Sequence, residues 1–217
     1  MIPQRFVVEY PQRCALLLKM LEPMARESQL VGSFSLLVAN SVFVIPFERM
    51  KDAHPLREHE REPEIYEAIG KQQKVRFFQA ELWNGKPPAD WRMSRIMTPA
   101  NAVHGWQDRH GQHPMSEGAE NLIGEKSLDD VLRVIRNALA HGNVVYLDKN
   151  GMESAGAVVR YLGFLSRYEE NAEQRAKAET YRLVTTTEEG FLAFVKAWAA
   201  WLAKFGFDDK LYAAAAQ

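Results

Sequence analysis

The run SLDDVLRVIRNALAHG, residues 127–142, carries a helix start, an apolar stripe and a helix stop in sixteen positions. Ser127 is a good N-cap, and Asp130 three residues later approximates a capping box. Asp129 and Asp130 also set negative charge against the positive end of the helix. Leu128, Val131, Leu132, Ile135, Ala138 and Leu139 recur at helical spacing and form one apolar stripe. Gly142 supplies the left-handed residue that ends such helices. The pattern predicts a helix over 127–141, about four turns long, with His141 in its last turn.

The polar flank of this helix carries the chemistry. Arg133, Asn137 and His141 follow at i, i+4 and i+8, away from the stripe. Arg136 lies roughly 140° round from His141 on an ideal helix, so the two converge only if the helix end distorts or the arginine bends back. Arginine is always charged and matches phosphate geometry. Histidine suits proton transfer near neutrality. Together they can serve phosphodiester chemistry without a metal. In RNA the 2′-hydroxyl attacks the adjacent phosphorus. His141 is then the candidate acid or base, and Arg136 the phosphate clamp and transition-state stabiliser. Asn137 orients His141 or holds the scissile phosphate, and Arg133 contacts a neighbouring phosphate. The plainer alternative is a solvated helix flank, where a histidine near the C-terminus stabilises by about 0.3–1 kcal/mol without any catalysis.

The arginine–polar–x3–histidine spacing at a helix end resembles the R-x(4–6)-H signature of the HEPN superfamily. The fuller run Ile135-Arg136-Asn137-Ala138-Leu139-Ala140-His141-Gly142-Asn143 resembles plasmid- and defence-associated prokaryotic members, and Val44-Ile45-Pro46-Phe47-Glu48-Arg49 is similar to that group as well. The resemblance implies a helical bundle that dimerises. It implies a metal-independent endoribonuclease acting on single-stranded RNA, as a toxin or anti-phage effector, with no cofactor. Two motif helices would meet across a two-fold axis and supply two His141 side chains, because one histidine per chain does not provide both acid and base. An antitoxin protein joins RNA and a second copy among the implied partners. Neither DNA nor a membrane is expected. The competing reading is a noncatalytic dimeric HEPN module that binds a nucleotide or a partner protein.

Composition sets bounds on these readings. A hydrophobic content of 47% and five tryptophans supply ample core. The single cysteine, Cys14, excludes an internal disulfide framework and reads as a small buried side chain on the first helix. No secretory leader is expected, and a cytoplasmic location fits. The formal net charge of −1 excludes a generic polyanion binder, so RNA must be held by a local basic patch. Residues 30–47 hold no charge, yet Ser33, Ser35, Asn40, Ser41 and Pro46 weaken them as a membrane span. A central helix buried on most sides explains them better.

Along the chain, Pro11 opens a first helix that carries Leu17, Leu18, Leu21 and Met24 to about Glu27. Ser28 caps a second, very apolar helix running to Phe47 or Arg49. A charged connector over 51–62 reads as solvated surface, and Pro63 opens a third helix to about Trp83. Residues 84–126 hold many Gly and Pro and are expected as short helical turns pinned by Trp91 and Trp106, or a flap. His104, His110 and His113 with Asp108 lie there. Solvated loop histidines are the expectation over a zinc site, and Arg92, Arg95 or Arg109 could offer phosphate contacts. Strands are expected over 144–147, 158–168 and 181–185, with a polar connection over 169–179, as a small antiparallel meander spanning 143–186. Thr186 with Glu189 reads as a second capping box. Phe191, Phe194, Val195, Trp198, Trp201, Leu202 and Phe205 keep helical spacing to a stop at Gly206, and 213–216 reads as a frayed end. The fold expected is mainly α (α+β): one HEPN-like helical domain over 1–217, with the 84–126 insertion and the meander before the last long helix.

Overall fold

The computed structural model describes residues 6–49, 63–97, 102–154, 158–167 and 180–205. Helix α1 (Phe6–Glu27) ends through Gln29 at φ 55°. One helical run follows in three parts: α2 (Val31–Ala39), a π-helical segment (Asn40–Val44) and α3 (Ile45–Arg49). Then come α4 (Pro63–Gln73), strand β1 (Arg92–Ile96), α5 (Leu128–His141), β2 (Val144–Leu147), β3 (Tyr161–Arg167), β4 (Tyr181–Thr187) and α6 (Glu188–Ala203). The four strands form one antiparallel sheet in the order β1-β4-β3-β2. The architecture is α+β, with helices over one sheet face.

Helix α6 lies at the centre of the helical layer. Its Phe191, Phe194 and Trp198 are buried against α1, α2 and the π-helical segment. Phe43 meets Phe194 and Trp198 edge-on at 5.6 and 5.3 Å. The Trp198 indole donates to the Val42 carbonyl at 2.9 Å, inside the stretch where the helical ladder is rearranged. One side of the uncharged run is thus core, with Ala39, Val42 and Phe43 without exposure, while Leu30, Leu37 and Ile45 are exposed. By length and composition Val31–Glu48 could cross a membrane, but half of it is buried inside the protein.

The sheet separates two apolar layers. Phe164 and Val184 are directly paired and share the helix side, where Phe164 packs on Phe191 at 4.7 Å. Val131, Leu132, Ile135 and Ala138 of α5 fill the same layer. On the opposite face Ile96, Leu147 and Leu183 are covered by Val103 and Trp106. The described chain from Ala102 to α5 is therefore a packed cover held by Trp106, which is 3% exposed.

Several expectations need correction. A fourth strand, β1, lies inside the stretch expected to hold only turns, and it pairs with β4 at the sheet edge. The third helix stops at Gln73, ten residues before Trp83. There Leu128 N–H donates to the Val75 carbonyl at 2.8 Å and Phe77 N–H to Lys126 at 2.9 Å, so the chain is drawn off as a bridge to the start of α5. Phe77 then packs against Trp83 and Trp91 at 5.2 and 5.0 Å. Ser28 does not cap α2. Leu30 stands at that position and no side chain caps it, because the chain turns through left-handed Gln29 first. The second capping box is not formed: Thr187, not Thr186, caps α6 by accepting from Gly190 N–H at 3.0 Å, and Gly190 has no side chain to return the bond. On α1 the buried side is Cys14, Leu18 and Ala25, while Leu17, Leu21 and Met24 are exposed. The connector 51–62, the polar connection 169–179, Gly206 and the end 213–216 lie outside the described residues.

Candidate functional site

Helix α5 is fixed at both ends by local chemistry. Ser127 Oγ accepts from Asp130 N–H at 3.1 Å, and Asp130 Oδ2 accepts from Ser127 N–H at 3.3 Å, a complete capping box. At the other end Gly142 is left-handed, φ 69°, and Asn143 N–H donates to the Ala138 carbonyl at 2.8 Å. The chain passes directly into β2, and the Asn143 carbonyl accepts from Leu165 N–H at 3.0 Å. The helix end is thereby stapled to β3, and His141 is left exposed in the last turn.

Asn137 and His141 are brought together one turn apart. Asn137 Nδ2 donates to the buried Ser166 Oγ at 3.0 Å, which locks the amide against β3. Both residues line a pocket of about 870 Å³ between the end of α5 and one end of the sheet. Its apolar floor includes Ile96, Trp106 and Leu165. Ser166, Arg167 and Tyr181 complete the wall.

The arginines of the motif point elsewhere. Helix α5 stays regular to His141, so Arg136 is not swung round toward it and is absent from the pocket lining. Arg136 Nε instead lies 2.9 Å from Glu48 Oε1 on α3. Two motifs singled out separately in the sequence, 44–49 and 135–143, thus meet through an ion pair. Arg133 pairs with Asp129 one turn earlier on the exposed flank. Within one chain the proton-transfer candidate and the phosphate-clamp candidate lie on different sides of α5.

The loop histidines do not converge. His104 and His110 are exposed. The His113 ring stacks parallel to Trp106 at 6.3 Å and its Nε2 lies 3.1 Å from the Val103 carbonyl. Asp108 is 2% exposed and accepts from the N–H groups of His110, Gln112 and Glu120. Burial pushes its carboxyl up, but those backbone donors outweigh it and hold it below the usual carboxylate range. Among the described residues no group of three or more His, Cys, Asp or Glu is arranged to hold a metal. The arginines expected to offer phosphate contacts have partners within the chain: on β1, Arg92 donates to the Ala119 carbonyl at 3.0 Å and Arg95 to Thr180 Oγ1 at 3.4 Å, and Arg109 pairs with Glu120.

Sequence reasoning missed Ser166, Arg167 and Tyr181. The β-pairing of Arg167 with Tyr181 sets them beside the helix end, and no local pattern around either residue announces that. A polar pair, Ser166-Arg167, closing an apolar strand run was the one available hint.

No curated protein and no solved structure matches the chain. A family model described as HEPN pEK499 p136 matches residues 2–208, a span that takes in every described element. The arginine–histidine helix end and this match agree, and the chain belongs to the HEPN pEK499 p136 family of the HEPN superfamily.

Proposed function

We propose that the protein is a metal-independent endoribonuclease of HEPN type that cleaves single-stranded RNA at a site shared by two chains. The observation that carries this reading is the position of His141, exposed at a rigidly capped helix end beside a pocket, with Asn137 locked one turn below it. The reaction is a transesterification. The 2′-oxygen bonds to phosphorus as a base takes its proton. The bond from phosphorus to the 5′-oxygen breaks as an acid protonates that oxygen. The products are a 2′,3′-cyclic phosphate and a 5′-hydroxyl. Each chain brings one His141, so acid and base come from two copies related by a two-fold axis. In that assembly Arg136 stabilises charge on the phosphoryl oxygens, and Arg133 contacts a flanking phosphate. The physiological role that follows is a toxin or anti-phage effector held in check by an antitoxin.

The test is cleavage of labelled single-stranded RNA in EDTA. Cleavage persists, leaves 2′,3′-cyclic ends, and falls roughly 10²–10⁴-fold in His141→Ala and roughly 10²–10³-fold in Arg136→Ala. Expression of the wild type, and not of His141→Ala, arrests growth. Intact RNA at high protein concentration overturns the enzyme reading. A second reading, a noncatalytic dimeric module for a nucleotide or partner protein, is favoured by one observation: Glu48 already neutralises Arg136. Retained RNA or nucleotide binding without cleavage would select it.

A further inference from the structure

The pocket beside His141 is larger than proton transfer needs. Its volume of about 870 Å³ lies within the roughly 300–1,000 Å³ of small-molecule sites. It combines an apolar floor with a polar rim, the pattern expected for a ligand with a flat apolar part and a charged part. Ile96, Trp106 and Leu165 supply the floor, continuous with the apolar layer beneath the sheet. The rim holds unspent hydrogen-bonding capacity. Asn137 uses its Nδ2 on Ser166, which leaves Oδ1 without a bond among the described residues. The side chains of His141, Asn143, Arg167 and Tyr181 likewise make no hydrogen bond or ion pair among the described residues. Arg167 is exposed and His141 stands across the same cleft, while among the described residues no carboxylate lines it. The sign of the pocket therefore suits an anion, on a chain whose net charge of −1 offers no general attraction.

We propose that this pocket receives one unstacked nucleotide of the RNA strand, next to the phosphate that His141 addresses. This rests on the endoribonuclease reading and assigns its substrate subsite. The base lies on the apolar floor beside Tyr181, as bases splayed from single strands do on aromatic and apolar surfaces. Asn137 Oδ1 and the Asn143 amide face its polar edge. Arg167 takes a backbone phosphate, a charge-assisted contact. A paired duplex cannot present a base this way, so the pocket selects unpaired RNA.

The test uses a fluorescent 2′-O-methyl oligonucleotide, which lacks the attacking hydroxyl and cannot be cleaved, with the intact protein. Arg167→Gln, an exposed site, weakens binding roughly tenfold. Asn143→Phe, at the pocket mouth, abolishes it while the thermal midpoint stays near wild type. An abasic residue walked along the oligonucleotide weakens binding at one position only. Nucleoside monophosphates compete weakly, and ribose 5-phosphate does not compete. Binding indifferent to both variants and to the abasic walk overturns the assignment, as does failure to retain the strand at all. Cleavage of ordinary RNA under those outcomes leaves the nuclease reading standing. Binding that obeys all three criteria without cleavage leaves the pocket standing and removes the nuclease.

Discussion

Arg136 and Glu48 show what a single ion pair can do for a motif. The pair is 2.9 Å apart, with side chains 20% and 40% exposed. Such partly solvated pairs contribute about 0–1 kcal/mol to stability, so its main consequence is orientation. A guanidinium held through Nε still has its Nη donors for a phosphate arriving from a second chain. Glu48 is then a positioning residue for the proposed reaction. Glu48→Gln is expected to lower kcat several-fold with little change in KM, and to move the denaturation midpoint by no more than that small pair energy allows. Arg136→Lys should not rescue activity, because an ammonium lacks the planar fork. Steady-state kinetics on both variants with equal unfolding curves would bear this out. An unchanged kcat in Glu48→Gln would remove the positioning role.

The cover between β1 and α5 depends on Asp108 much as a helix depends on its cap. Three backbone N–H groups converge on one buried carboxylate, and the carboxyl lies below its ordinary range in consequence. A depressed carboxyl contributes stability that is fully present above its unfolded value and is lost as pH falls through the folded one. Asp108→Asn replaces an acceptor by a donor facing N–H groups, at a cost of roughly 1–3 kcal/mol near neutral pH. Its penalty relative to wild type should shrink in acid, where the wild-type carboxyl is itself protonated. Urea unfolding at neutral pH and in acid measures the difference. A constant penalty at both pH values would show that ionisation of Asp108 does not matter. The same segment shows where sequence was informative and where it was not. Helix α5 was readable residue by residue, since its cap, its stripe and its glycine stop each act between residues only a few positions apart. Strand β1 was not, because Arg92–Ile96 becomes a strand only through pairing with β4, nearly ninety positions on. The end of α4 was overridden by tertiary contacts of Phe77 and by the bridge to Ser127. The motif's residue types were visible in the chain, but the partner of Arg136 on α3 and the Arg167–Tyr181 rim exist only once distant elements are registered.

For the molecule as a whole, the decisive point is that one chain separates what the proposed reaction must unite. His141 lines the pocket, Arg136 faces α3, and no second histidine joins them among the described residues. In the proposed arrangement, acid, base and phosphate clamp come together when a second copy adds its own α5 end. Activity per chain must therefore follow the dimer population. On dilution the rate per chain should fall with the same midpoint that sedimentation gives for dimer dissociation. Because the proposed site needs two His141 side chains, excess His141→Ala protein should poison the wild type by drawing it into mixed dimers. Poisoning deeper than simple dilution is expected once exchange is complete. A rate per chain that stays constant down to the monomer, or that ignores the inactive variant, would place acid and base within one chain and end the symmetric arrangement.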